Sequence, residues 1–246
     1  MHEPSGAVES ARTAHEVGAG STSEPFSPSP APKRAELYHP QLLPYLESLV
    51  PPRPSVLQAM EAHAKATNFP IVGPVVGQFF YVLTRMLGAR RVFELGSGFG
   101  YSTAWFALAV RENGGGEVHH VVWDESLSQQ AREFLGQLGV LEVMRFHVGE
   151  AVQTLQQVGG EYDLIFCDID KDGYPASLPV IKRHLRVGGV VLYDNALWSG
   201  RVWDESDTSA ATQGIRELTQ MLTRDTDFAT TLLPLRDGVL MAVKLR

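Results

Sequence analysis

The sequence predicts an α/β fold in which a mostly parallel sheet is covered by helices on both faces. Three observations carry that expectation. From residue 91 onward, short apolar runs alternate with helical segments, the rhythm of parallel strands joined by crossover helices. The first of these runs leads directly into glycines, Gly96-Ser97-Gly98-Phe99-Gly100. The last two runs are separated by Arg236-Asp237-Gly238, where Asp-Gly predicts a hairpin and so an antiparallel end to the sheet. With 246 residues, 44% of them hydrophobic and 20% charged, the chain has enough apolar material for the core of one large domain.

Taken in order, residues 1 to about 34 are rich in Ser, Pro, Gly, Ala and Glu. Pro25, Pro28, Pro30 and Pro32 block helix and sheet alike, so this segment reads as a flexible tail. Residues 35–246 are expected to form a single domain whose helical extension covers about 37–88. Leu42, Leu43, Leu46 and Leu49 recur at helical spacing until Pro51-Pro52 stops them. Ser55 is suited to cap a second helix reaching about Ala66. After a Pro/Gly-rich turn over 70–77, Phe79, Phe80, Leu83 and Leu87 predict a third helix ending at Gly88.

Strands are predicted at 91–95, 117–123, 143–148, 162–167 and 189–193. The intervening helices are expected from about 102, over 126–138, from 150, and over about 176–185. A loop at 196–208 precedes a helix over 209–224, and final strands lie near 228–234 and 239–245. No internal repeat is visible, and no apolar run approaches the roughly 18 residues that span a bilayer.

Composition excludes several function classes. A net charge of −7 argues against gripping nucleic acid by bulk electrostatics. Cys167 is the one cysteine, so no internal disulfide forms. A reducing, cytoplasmic location is the simplest expectation, and the first 34 residues show no secretory pattern. Zinc motifs of the C-x-x-C and H-E-x-x-H types are lacking.

The glycine loop sits where α/β folds bind ligands, beyond the carboxyl end of a strand. It does not have the G-x-G-x-x-G spacing of a dinucleotide loop, because the third glycine comes one residue early. Glu94 precedes the first glycine by two positions. A pyrophosphate gains nothing from a carboxylate there, whereas a cationic, amino-acid-like ligand does. Asp124 ends the second strand, where a carboxylate can accept hydrogen bonds from ribose hydroxyls. The bland alternative is a strand-turn-helix that needs its glycines only to bend.

The fourth strand ends in Asp168-Ile169-Asp170-Lys171-Asp172-Gly173-Tyr174. An EF-hand needs Glu at its twelfth position, and here that position is Pro179. The fifth strand ends in Asp194-Asn195. If the two strands are close neighbours, Asp168, Asp194 and Asn195 converge as hard oxygen ligands suited to Mg²⁺. The competing reading is that both acids merely cap the helices after their strands.

Together these motifs resemble the cation-dependent, S-adenosylmethionine-dependent O-methyltransferases, the catechol and caffeoyl-CoA group. The resemblance runs from about Tyr38 to the C-terminus. It is carried by Phe93-Glu94-Leu95-Gly96 with Gly100-Tyr101-Ser102, by Asp124, by the 168–174 stretch, and by Asp194-Asn195-Ala196-Leu197-Trp198-Ser199-Gly200. Gly77-Gln78 also stands in the family's position ahead of the first strand.

The resemblance implies a Rossmann-like methyltransferase fold, a seven-stranded sheet with a reversed last strand. It implies that Glu94, Gly96, Ser102, Asp124 and Ala151 line the S-adenosylmethionine site with Asp170 close by. It implies Asp168, Asp194 and Asn195 as ligands of Mg²⁺ or another divalent cation, Lys171 as general base, and a homodimer. The implied acceptor is a small phenolic molecule with vicinal hydroxyls. Two departures stand out: Ile71-Val72-Gly73 replaces a Met/Thr-rich stretch, and Trp123 flanks Asp124. Alternatives are methylation of a hydroxylated uridine in tRNA, which the acidic balance disfavours, a nicotinamide-dependent oxidoreductase, which the glycine spacing disfavours, and a non-catalytic module that kept the fold.

Overall fold

The structure, a computed structural model, describes residues 39–246. The tail expected over 1–34 and the first residues of the helical extension lie outside the described residues. Three helices come first: α1 (Leu42–Ser48), α2 (Ser55–Thr67) and α3 (Gly73–Met86). Then β1 (Arg91–Leu95), α4 (Tyr101–Glu112), β2 (Glu117–Val122), α5 (Glu125–Leu138), β3 (Met144–Val148), α6 (Ala151–Val158), β4 (Tyr162–Cys167), α7 (Tyr174–His184) and β5 (Leu185–Tyr193) alternate as expected. The chain closes with α8 (Ala210–Arg224), β6 (Phe228–Leu233) and β7 (Val239–Lys244).

The seven strands form one sheet in the order β3-β2-β1-β4-β5-β7-β6. The pairs among β1 to β5 are all parallel, and β7 runs antiparallel between β5 and β6. This is the Rossmann-like methyltransferase arrangement with a reversed last strand. Strand order turns back between β1 and β4, which opens a crevice beyond their carboxyl ends.

Side-chain alternation along the strands builds two apolar layers. On one face Val92, Leu164 and Phe166 pack with Phe80 and Phe106, whose rings stack at 5.0 Å. On the other, Phe93, Ile165 and Tyr193 meet Tyr174, Ile181 and Leu218 from the opposite helices.

Several boundaries differ from the sequence-based expectation. Ser55 does not cap α2: Pro54 occupies the capping position, and Ser55 is the first helical residue. Helix α3 starts at Gly73, inside the expected turn, because Pro74 falls in the first turn, where its missing N–H breaks no bond. Strand β5 begins at Leu185, with Gly188 and Gly189 inside it. Those glycines mark an irregular pairing with β4 rather than the strand's start. The 196–208 loop contains short 3₁₀ turns over Trp198–Trp203. Among the described residues no helix is long and apolar enough to cross a membrane.

Candidate active site

A cleft of about 2170 Å³ lies over the carboxyl ends of β1 and β4. Its floor is the turn from β1 into α4. Gly96 has φ +87, and a Cβ there would stand 2.5 Å from the carbonyl oxygen of Asp168. Only glycine permits both that conformation and that approach. The Asp168 N–H donates to the Leu95 carbonyl at 2.8 Å, so the glycine turn and the end of β4 are tied together.

Glu94 is fully buried beneath this turn. Its two carboxylate oxygens accept from the hydroxyls of Ser102 and Thr103 at the start of α4. Burial pushes its carboxyl up to about 7, against the pull of those hydroxyls. Glu94 does not line the cleft, whereas Gly96, Ser97, Gly98 and Ser102 do. The acid therefore acts here by fixing the helix start.

Asp124 is likewise used locally. Its Oδ1 accepts from the N–H groups of Ser126 at 2.7 Å and Leu127 at 3.2 Å, capping α5. The cleft reaches its neighbour Trp123, which is 70% exposed. Ala151 lines the cleft at the first turn of α6, and Asp170 lines it as an exposed residue.

Asp168 and Asp194 behave differently from caps. Strands β4 and β5 are neighbours, so both acids emerge at one edge. Helix α7 has no side-chain cap, and neither acid closes a helix. Lys171 donates from Nζ to Asp168 Oδ1 at 2.6 Å, to the Ile169 carbonyl at 3.1 Å and to the Tyr174 hydroxyl at 3.0 Å. An ammonium has three protons, and each has an acceptor here. The Tyr174 hydroxyl donates on to the Asp194 carbonyl at 2.9 Å, which links both strand ends. Burial pushes Asp194 up to about 7, and the Asp168 charge adds to the effect. Burial raises Asp168 as well, opposed by the Lys171 ammonium.

Two acids with one ammonium, paired to Asp168, leave more acidic than basic groups in a half-buried place. That donor set fits a divalent cation. Among the described residues no third acid, histidine or cysteine joins them. The Asn195 side chain, which also lines the cleft, is the remaining oxygen of the expected trio.

Sequence reasoning passed over three features of this cleft. Asp237, read only as a hairpin residue, reaches Asn195 and Ser199 through its side chain. Arg53, Glu61 and Tyr101 form a chain along one wall, with Tyr101 donating to Glu61 at 2.8 Å and Arg53 paired to Glu61 at 2.8 Å. Tyr174 ties the carboxyl ends of β4 and β5. Tyr101, Tyr174 and Asp237 all lay within quoted motifs, but none was read for these contacts.

A mostly parallel sheet with a reversed last strand, a glycine turn at its switch point and a carboxylate edge beside it define a Rossmann-type fold with a ligand cleft at that switch point. Comparison with known proteins narrows the class. A family model described as O-methyltransferase matches residues 54–245. A catechol O-methyltransferase of Niastella koreensis is 30% identical over 181 residues, spanning 70% of this chain and 81% of its own. An O-methyltransferase from Bacillus cereus, solved in complex with S-adenosylhomocysteine, has 29% identity and a TM-score of 0.75 over 82% of this chain and 96% of its own. The O-methyltransferase TomG from Streptomyces achromogenes, involved in tomaymycin synthesis and solved with S-adenosylmethionine, has 27% identity and a TM-score of 0.75 over 82% and 95%. The chain belongs to the O-methyltransferase family.

Proposed function

We propose that the protein transfers a methyl group from S-adenosylmethionine to a hydroxyl of a catechol-like small molecule, with Mg²⁺ or a similar cation holding the acceptor. Family membership supports the methyl transfer. The observation that carries the finer reading is the pair Asp168 and Asp194: adjacent strand ends, Asp194 buried with Asp168 half-buried beside it, and no capping role for either.

In this reading Gly96, Ser102, Ala151 and Asp170 face the methyl donor. Glu94 supports it from beneath by holding Ser102, and Asp124 keeps one carboxylate oxygen for a ribose hydroxyl. Asp168, Asp194 and Asn195 hold the cation, which lowers the cost of ionising a phenol whose pKa is otherwise about 10. Lys171, whose Nζ lies 2.6 Å from Asp168 Oδ1, is the general base that would take the acceptor proton as the neutral amine. Trp198, half-buried on the cleft wall, offers an apolar face to a planar acceptor. Positioning by these side chains supplies much of the rate, since it converts an encounter into an oriented displacement.

Residues 35–246 act as one catalytic domain in this proposal, and two copies pair through the N-terminal helices. The lone, buried Cys167 supports a reducing, cytoplasmic setting.

The test is methyl transfer to a panel of catechols, caffeoyl esters and hydroxylated tRNA, with and without EDTA. Asp168→Ala should abolish metal-stimulated turnover while S-adenosylhomocysteine still binds in calorimetry. Lys171→Ala should keep metal and donor binding but lower kcat by roughly 10² to 10⁴, partly recovered at high pH. Turnover that survives both EDTA and Asp168→Ala overturns the metal reading and leaves a metal-independent methyltransferase.

A further inference from the structure

The tip of the β6–β7 hairpin lies directly on the loop that follows β5. Main-chain bonds zip the two together: Ala196 N–H donates to the Gly238 carbonyl at 2.9 Å, and Leu197 N–H to the Asp237 carbonyl at 2.8 Å. The approach is so close that a Cβ on Gly238 would meet Leu197 Cγ at 2.6 Å. Asp237 then turns its carboxylate onto the same loop. Oδ1 accepts from the Ser199 N–H at 2.5 Å and from the Ser199 hydroxyl at 3.4 Å, and Oδ2 accepts from Asn195 Nδ2 at 3.3 Å. On the far side of the tip, Arg236 Nη1 donates to the Ile71 carbonyl at 2.5 Å, which anchors the hairpin across the cleft.

An ionised carboxylate only accepts. It therefore selects which end of the Asn195 amide it faces: the nitrogen is drawn toward Asp237, and Oδ1 is turned away from it. A carboxamide that fails to make this choice is as ready to present its NH₂ group, which cannot ligate a cation. Asn195 also lies in the left-handed region, at φ 57, a conformation that asparagine adopts more readily than most residues.

We infer that Asp237 is a positioning residue for the acceptor site: it fixes the Asn195 amide so that its oxygen, not its nitrogen, is offered to the cation. This rests on the proposal that Asn195 is a metal ligand. Groups that orient a metal ligand from behind typically change metal affinity by roughly 10- to 100-fold when replaced.

Three proteins test it: wild type, Asp237→Asn, and Asp237→Asn combined with Asn195→Asp. Mn²⁺ affinity is measured by paramagnetic resonance and S-adenosylhomocysteine affinity by calorimetry. The new amide at position 237 presents an NH₂ to Asn195, which reverses the Asn195 amide. Mn²⁺ binding should weaken by roughly 10- to 100-fold with donor binding unchanged, and KM for the acceptor should rise. The double variant exchanges acid and amide, so an oxygen faces the site again and Mn²⁺ affinity should return toward wild type. Wild type that binds no Mn²⁺ overturns the metal reading itself. Wild type that binds it, with Asp237→Asn equal to it, overturns only the positioning role. Loss of donor binding in Asp237→Asn, or failure of the double variant to restore Mn²⁺, also overturns it, since the hairpin is then holding the fold rather than the amide.

Discussion

Glu94 and His120 are register partners on β1 and β2, both fully buried, and they answer to pH in opposite directions. Burial pushes Glu94 up to about 7, so its folded form prefers the neutral acid. Its contribution to stability is complete below its unfolded value and is lost as pH rises through 7. Burial lowers His120 to about 4, although its Nε2 faces the Gly98 carbonyl at 3.1 Å. That contribution is present above its unfolded value near 6.5 and is lost as pH falls through 4. Because the two act in opposite senses, the wild-type pH profile hides both. Single variants separate them. Relative to Glu94→Gln, wild type should lose stability on going from pH 5 to 8. Relative to His120→Gln, it should lose stability from pH 6.5 to 4. Each difference is on the order of 3 kcal/mol at most. Urea melts of donor-free protein across this range provide the check, and parallel curves for wild type and variant would falsify the burial argument.

The turn joining β1 to α4 shows the same dependence at the level of an element. Gly96→Ala places a methyl against the Asp168 carbonyl and forces an unfavourable left-handed backbone. The clash cannot be relieved by a side-chain rotation, because the obstacle is main chain. A cost of about 2 kcal/mol or more is expected, together with a loss of donor affinity in calorimetry; an unchanged melting midpoint would show that the end of β4 is free to move. This element was legible in the sequence because glycines after an apolar run have few other uses. The strands were legible for a similar reason, since Val, Ile and Phe runs between glycines admit one reading in an α/β protein. Helix starts were less so. Pro54 and Pro74 look like breakers in a linear scan, yet each sits at a helix entrance, where its lost N–H is harmless. In the cleft, Asp168, Asp194 and Asn195 stood out because acids at consecutive strand ends share an edge. The sequence placed Asp124 and Glu94 at that edge but did not reveal that their oxygens are engaged by an α5 entrance and two hydroxyls. Asp237 was hidden altogether: its Asp-Gly pair is explained by the turn, and its contact with Asn195 spans β7 and the loop after β5.

At the scale of the molecule, α1 is the part least accounted for by its own chain. It has seven residues and buries none of them. A helix that short does not hold its conformation alone in water. Leu42, Leu43 and Leu46 line the cleft, while Tyr45 and Leu49 are 61% and 60% exposed. On α3, Val82 and Met86 are spaced one turn apart and are 41% and 79% exposed. Large apolar side chains on two helices that touch each other ask for a covering surface. The pairing proposed above would supply one, and a two-fold contact of this kind needs a total buried area of about 1,000 Å² or more to persist. Leu49→Lys with Met86→Lys introduces two unpaired charges into that surface from each partner, which are costly to bury. Light scattering at micromolar concentration should report a dimer for wild type and a monomer for the double variant, with S-adenosylhomocysteine still bound by both. A monomeric wild type refutes the pairing. In that event the leucines of α1 have only the cleft to face, and acceptor binding rather than a partner should order the helix, which hydrogen exchange at 42–48 reads directly.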